Sequence, residues 1–233
     1  MFCNQCEQAK NGTGCDVVGI CGKDPDVQSL QETLLYGLKG MAAYAHHARR
    51  LGKVDEAVDA FTEEALFATV TNVNFDIPTL LEMVLECGKQ NLRVMEMLDE
   101  GHVERYGKPA VREVTVGTKA QPGILITGHD MLDLENLLRQ CEGTDVLVYT
   151  HGEMLPAFMY PKLANHPNLA GHFGGAWQLQ KKEFEAFGGA ILATTNCVLH
   201  PRPSYADRLF TLRCTAVPGA TRLKTDDFSA VIR

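Results

Sequence analysis

The sequence predicts an α + α/β fold, in which a cysteine-rich cap and a three-helix bundle precede a parallel α/β domain. Three observations carry this. Four of the eight cysteines crowd into the first 21 positions. Apolar residues then recur at helical spacing from residue 24 to about residue 100. Beyond residue 122, short apolar runs alternate with helical stretches, the pattern of strands joined by helices. A chain of 233 residues accommodates one or two domains at about 150 residues each. The segments read as a cap over 1–23, a bundle over 24–107 and an α/β domain over 108–233.

Residues 1–23 hold too little apolar mass to fold by burial, so something must tie them down. Asp24-Pro25 reads as an N-cap followed by proline at the first helical position, where the missing N–H costs nothing. Val27, Leu30, Leu34, Leu38, Met41, Ala42 and Ala45 line one helical face, and Gly52 ends the segment. A second helix fits Asp55 to Val73, with Val58, Phe61, Ala65 and Val70 inward. A third fits Pro78 to Glu100, with Leu81, Val84, Leu85, Leu92 and Met95 inward and Gly101 closing it. Short connections favour an antiparallel bundle. Lys108 to Gln121 reads as a linker. Strands are expected at Gly123–Thr127, Asp145–Tyr149 and Ala190–Thr195, with a fourth within Leu209–Val217. Met131–Cys141 reads as a helix, and the stretch from residue 150 to about Phe187 as helix-rich.

The 22 Lys and Arg against 29 Asp and Glu give a net charge of −7 with no long block of one sign. A nucleic-acid binder needs a concentrated basic face, so that class is disfavoured. No run of 18 apolar residues offers a membrane span, and the start lacks the charged and apolar regions of a secretory signal. The expected setting is a reducing cytoplasm, where structural disulfides are rare and cysteines more often hold metals.

The first cysteines are spaced Cys3-x2-Cys6-x8-Cys15-x5-Cys21. A Cys-x2-Cys turn presents two thiolates to one metal or cluster, and neighbouring glycines let backbone N–H groups approach the sulfurs. Four thiolates suit a structural zinc or a cubane iron–sulfur cluster; the long x5 half departs from the paired short knuckles usual for zinc. A second constellation lies where the predicted strands end: His129 after the first, His151 and Glu153 after the second, Cys197 after the third. Parallel sheets gather ligands beyond their carboxyl edges, and a mixed imidazole, carboxylate and thiolate set suits iron with open positions. Plainer roles compete with this. Asp130 reads as a helix cap, Cys197 as a core filler and His151 as a hydrogen-bonded turn histidine, as against a proton donor beside Glu153.

The runs Cys3-Asn4-Gln5-Cys6-Glu7-Gln8, Gly14-Cys15 and Gly19-Ile20-Cys21-Gly22-Lys23-Asp24-Pro25 resemble the start of hybrid-cluster (prismane) proteins, often called hydroxylamine reductases. So do Ile126-Thr127-Gly128-His129-Asp130, Tyr149 through Pro156, Gly174 through Gln178, and Glu183 through Phe187 on to Thr194-Thr195-Asn196-Cys197. The resemblance implies a helical domain followed by Rossmann-like α/β structure, related to carbon monoxide dehydrogenase. It implies a [4Fe-4S] cluster on Cys3, Cys6, Cys15 and Cys21, with His129, Glu153 and Cys197 among the ligands of a hybrid [4Fe-2O-2S] cluster. The implied substrates are hydroxylamine or nitric oxide, reduced by a separate electron donor. A single bundle corresponds to the compact subclass. The family's hybrid cluster also draws three cysteines and a glutamate from a C-terminal domain that this sequence does not contain, so an incomplete site is expected here. Cys87, Cys141 and Cys214, the last in a predicted strand, match no family ligand and read as core or incidental. The alternatives are a standalone [4Fe-4S] electron-transfer module and a zinc-stabilised structural domain.

Overall fold

In the computed structural model, which describes residues 1–233, helix α1 covers Pro25–Arg50. Asp24 caps it: its carboxylate accepts the Val27 N–H at 2.8 Å. Asp55 caps α2, Glu56–Ala68, by accepting the Ala57 N–H at 3.0 Å. Asp76 accepts the Thr79 N–H at 3.0 Å at the head of α3, Ile77–Tyr106. The first compact unit, Met1–Arg105, buries Leu34, Leu38, Met41, Val58, Ala65, Cys87, Val94 and Met97 in one core.

Four expectations for the bundle are corrected. α2 stops at Ala68, where the Thr69 hydroxyl donates to the Leu66 carbonyl at 2.7 Å, and Val70 beyond it is exposed. Gly101 does not close α3 but lies buried within it. The inward face of α3 is Leu80, Cys87, Val94 and Met97, while the expected Leu81, Leu85, Leu92 and Met95 face outward. α3 carries two apolar stripes, and periodicity identifies stripes without choosing between them. On α1, Ala42 is likewise exposed.

The second unit, Tyr106–Arg233, is built on a sheet. Its strands are β1 Gly123–Thr127, β2 Leu147–His151, β3 Leu169–His172, β4 Ala190–Ala193, β5 Leu209–Leu212 and β6 Thr221–Leu223. They pair in parallel in the order β3-β2-β1-β4-β5-β6. This is the order of a doubly wound sheet, whose switch point lies between β1 and β4. Along β1 the side chains alternate between two cores. Ile124 and Ile126 join Leu134, Leu137 and Leu138 of α4, Met131–Gln140, while Leu125 joins Phe184 of α6, Gln180–Ala186. Burial on both faces is why β1 reads as an uninterrupted apolar run.

β2 starts and ends two residues later than the sequence indicates. β3 and β6 are additional strands, and Cys214 lies in an exposed turn after β5. The stretch read as helix-rich contains a 3-10 segment over Gly152–Met159, α5 Pro161–Ala164, β3 and α6. The stretch read as a linker is partly stitched to the sheet. Val116 bridges His172, whose N–H donates to the Thr115 carbonyl at 2.9 Å and whose carbonyl accepts the Gly117 N–H at 3.1 Å. A last turn, α7 Ser229–Ile232, buries Val231 against the α4 side. No helix is long and apolar enough to cross a membrane.

Candidate metal centre

The carboxyl ends of β1, β2 and β4, three adjacent strands, bring His129, Glu153 and Cys197 together. Their ligating atoms lie within 4.8 Å of one another. Each is aimed by its neighbours. Gly128 holds φ +113, and a Cβ there would lie 2.4 Å from Thr194 Oγ1 and 2.6 Å from Thr195 Oγ1, so the backbone packs directly onto the loop after β4. That approach lets Thr195 Oγ1 accept the His129 backbone N–H at 2.9 Å and meet its Nδ1 at 3.1 Å. With Nδ1–H donating to Thr195, the imidazole presents Nε2 to a metal, the usual way an outer partner selects a ligand tautomer. Nε2 faces Glu153 Oε2 in a very short contact, and Cys197 Sγ lies 3.8 Å from the same oxygen.

Cys197 adopts a left-handed φ of 67, rare for a side chain with a Cβ. Buried Gln180 holds that turn: its amide donates to the Cys197 carbonyl and its Oε1 accepts the Leu199 N–H at 2.8 Å. Burial pushes the Cys197 thiol up, and the charge and hydrogen bonding of Glu153 add to it. A cation between these groups would reverse that preference, displacing the imidazole–carboxylate proton and holding the sulfur as thiolate. The donor chemistry fits a metal of the iron type.

His151 is placed differently. It is 1% exposed, with Nδ1 3.2 Å from Thr127 Oγ1 and Nε2 2.8 Å from Glu183 Oε2. Both ring nitrogens are engaged, so a proton from His151 has to pass through Thr127 or Glu183. Asp130 is a cap, accepting the N–H groups of Leu132 and Asp133 at 3.0 and 3.1 Å. A cavity of about 310 Å³ lies at the opposite end of the sheet, where β1 begins. Its lining contains no carboxylate, imidazole or thiol.

In the cap, Cys3 and Cys15 face each other across an antiparallel bridge, with N–H···O bonds of 3.0 and 2.8 Å in the two directions. Both are buried, and Cys6 and Cys21 are exposed nearby in sequence. The four do not converge as tightly as the other three. Burial pushes the Cys3 thiol up. Hydrogen bonds from the Gln5 backbone, Thr71 and Lys23, with the charge of Lys23, outweigh it and hold the group below the ordinary thiol value. Gly19 leaves room for this packing, since a Cβ there would lie 3.1 Å from Cys21 Sγ. A donor set of this chemistry, with a cation among the sulfurs, fits a thiolate-bound cluster. Thr195, Gln180, Glu183 and Lys23 have no role in the sequence reading, although all but Gln180 stand inside the runs that carry the family resemblance.

Fold and site together define an α/β protein with a mixed nitrogen, oxygen and sulfur donor set at the switch point of its sheet. The chain matches the Prismane/CO dehydrogenase family over residues 1–84 and 76–233, and it belongs to that family. It is similar to "Hydroxylamine reductase" of Moorella thermoacetica, 60% identical over 232 residues, covering 100% of this chain and 54% of that protein. The protein of the same name from Thermotoga petrophila is 50% identical over 232 residues, with the same coverage, and that from Geobacter sulfurreducens is 36% identical over 352 residues. The chain therefore spans about half the length of the first two curated relatives. In fold it is similar to carbon monoxide dehydrogenase IV from Carboxydothermus hydrogenoformans. The TM-score is 0.69 at 14% identity, over 97% of this chain and 52% of that one.

Proposed function

We propose that this chain provides the cubane-binding cap and three ligands of a second, mixed iron–sulfur–oxygen centre in a cytoplasmic oxidoreductase that reduces hydroxylamine or nitric oxide. The observation that carries it is the convergence of His129, Glu153 and Cys197 from three adjacent strand ends. The names of the relatives supply the reaction class, and the eight free cysteines accord with a reducing compartment. When bound, the mixed centre supplies open iron positions at which a small nitrogen–oxygen substrate gains electrons.

The chain's own residues prepare that site. Thr195 engages Nδ1 of the imidazole, which leaves Nε2 as the atom that would ligate a metal. Gln180 holds the turn that aims the Cys197 sulfur. Glu153 offers a hard oxygen beside the soft sulfur, a combination suited to iron and poorly suited to a closed zinc site. Cys3, Cys6, Cys15 and Cys21 would hold the [4Fe-4S] cluster, and a separate redox protein or reductant would be the electron donor.

Anaerobic reconstitution of the chain with ferrous iron and sulfide tests this, with iron and sulfide assays and EPR of the reduced protein. About four irons and four sulfides in the cap are expected. Cys6→Ser is expected to abolish that load, and Cys197→Ser to remove only the iron beyond it. A colourless, folded protein carrying stoichiometric zinc would overturn the reading.

A further inference from the structure

A lysine ammonium is costly to remove from water, and folded chains bury one only where hydrogen bonds or an opposite charge meet it. Lys23 is 0% exposed. Its Nζ donates at 2.9 Å to Gln31 Oε1, a neutral acceptor. That acceptor is fixed from behind, because Gln31 Nε2 points at the carbonyls of Ala68, Val70 and Asn74 at 3.3, 3.4 and 3.5 Å. No carboxylate pairs with Nζ, and its charge lies close enough to buried Cys3 to lower that thiol. The lysine stem also lies against Gly19, where a Cβ would be 3.2 Å from Lys23 Cβ and 3.1 Å from Cys21 Sγ. A fully buried lysine thus has its stem packed beside Cys21, its ammonium on the neutral Gln31 and Cys3 close by.

We propose that Lys23 is the countercharge of the cluster held by Cys3, Cys6, Cys15 and Cys21, and that it makes the cluster easier to reduce. The inference rests on the cubane reading above and deepens it. Four thiolates around a cubane core leave a net negative site, and one-electron reduction adds a further negative charge. A fixed positive charge near a ligand sulfur favours the added electron, and low dielectric strengthens the effect. Thr71, whose Oγ1 lies 3.6 Å from Cys3 Sγ, offers a dipole where Lys23 offers a full charge. The buried position also spares the interaction from salt screening.

EPR-monitored potentiometric titration, with mediators and dithionite as the one-electron reductant, tests this on the anaerobically reconstituted chain. Lys23→Met keeps the stem and removes the charge. Gln31→Glu keeps the lysine and places a carboxylate on its Nζ, cancelling the field from a different position. Both variants are expected to disfavour reduction by tenfold or more, a midpoint lowered by about 59 mV for one electron. A merely structural lysine would change stability and leave the midpoint in place. Should Lys23→Met fail to hold iron, Gln31→Glu decides. Midpoints unchanged in the iron-loaded variants would overturn the proposal and leave the cubane reading intact. Failure of the unaltered chain to take up a cluster would overturn both.

Discussion

Gly128→Ala puts the strand-end architecture to a quantitative test. The new methyl group would arrive 2.4 Å from Thr194 Oγ1, 2.6 Å from Thr195 Oγ1 and 2.8 Å from the Thr195 nitrogen, at φ +113. Holding an alanine in that region costs about 1–3 kcal/mol, and forcing the loop after β4 outward adds roughly another 1–3 kcal/mol. Gly143→Ala is the matched control: φ is +75 and nothing lies within 4 Å of its Cβ, so only strain of about 1–2 kcal/mol remains. Both changes gain the same few tenths from a stiffer unfolded chain. Gly128→Ala is therefore expected to exceed Gly143→Ala by about 1–3 kcal/mol in urea denaturation. The fluorescence of Trp177, the single tryptophan, reports on this unit. The same displacement takes Thr195 away from His129, so cobalt(II) affinity at His129, Glu153 and Cys197 is expected to fall by roughly 10–100-fold. Equal destabilisation by the two substitutions would refute the argument that Gly128 docks the end of β1 on Thr194 and Thr195.

Three further outcomes are expected. In the folded chain at pH 8, burial holds the Cys141 thiol up at about 11, so about one in a thousand is thiolate. Iodoacetamide with mass spectrometry should label exposed Cys6, Cys21 and Cys214 well before Cys141, and equal labelling of Cys141 would contradict its burial. Arg213 Nη1 donates at 2.5 Å to Asp133, which is 0% exposed, so Arg213→Met should cost about 3 kcal/mol in chemical denaturation. Adding Asp133→Asn should recover part of that loss. Burial, then the neighbouring His151, depresses the pKa of His172 from the ordinary 6.5, so the unfolded chain takes up this proton before the folded one does. Its contribution is complete above about pH 6.5 and declines as pH falls toward the folded value; the drop in urea midpoint from pH 7.5 to 5.5 should shrink in His172→Gln.

Much of this was readable from local chemistry. Asp24-Pro25 announced the start of α1, and the unbroken apolar run of β1 announced a strand covered on both faces. The strands β1, β2 and β4 were legible as short apolar runs, with ends within two residues, which set His129, Glu153 and Cys197 near one edge of the sheet; their role as one ligand set came from the family resemblance. What stayed hidden depends on partners distant in sequence. Leu81 and Leu80 are equally apolar, and only the positions of α1 and α2 decide that Leu80 is inside. β3 reads Leu-Ala-Gly-His, with little intrinsic strand preference, and is made a strand by pairing with β2. Thr195 and Gln180 look like ordinary polar residues until the folded loops bring them to His129 and Cys197. The charge of Lys23 was visible, but its complete burial was not.

The two margins of the sheet differ in kind and lead to the same end. Along β3 the backbone from Thr115 to Gly117 occupies His172, so an approaching chain finds that residue's N–H and C=O already taken. At the other margin β6 is three residues long, carries Arg222 and is followed at once by Lys224, leaving a short, cationic rim. Neither border invites another strand to add on, and the fold thereby carries its own safeguard against edge-to-edge aggregation.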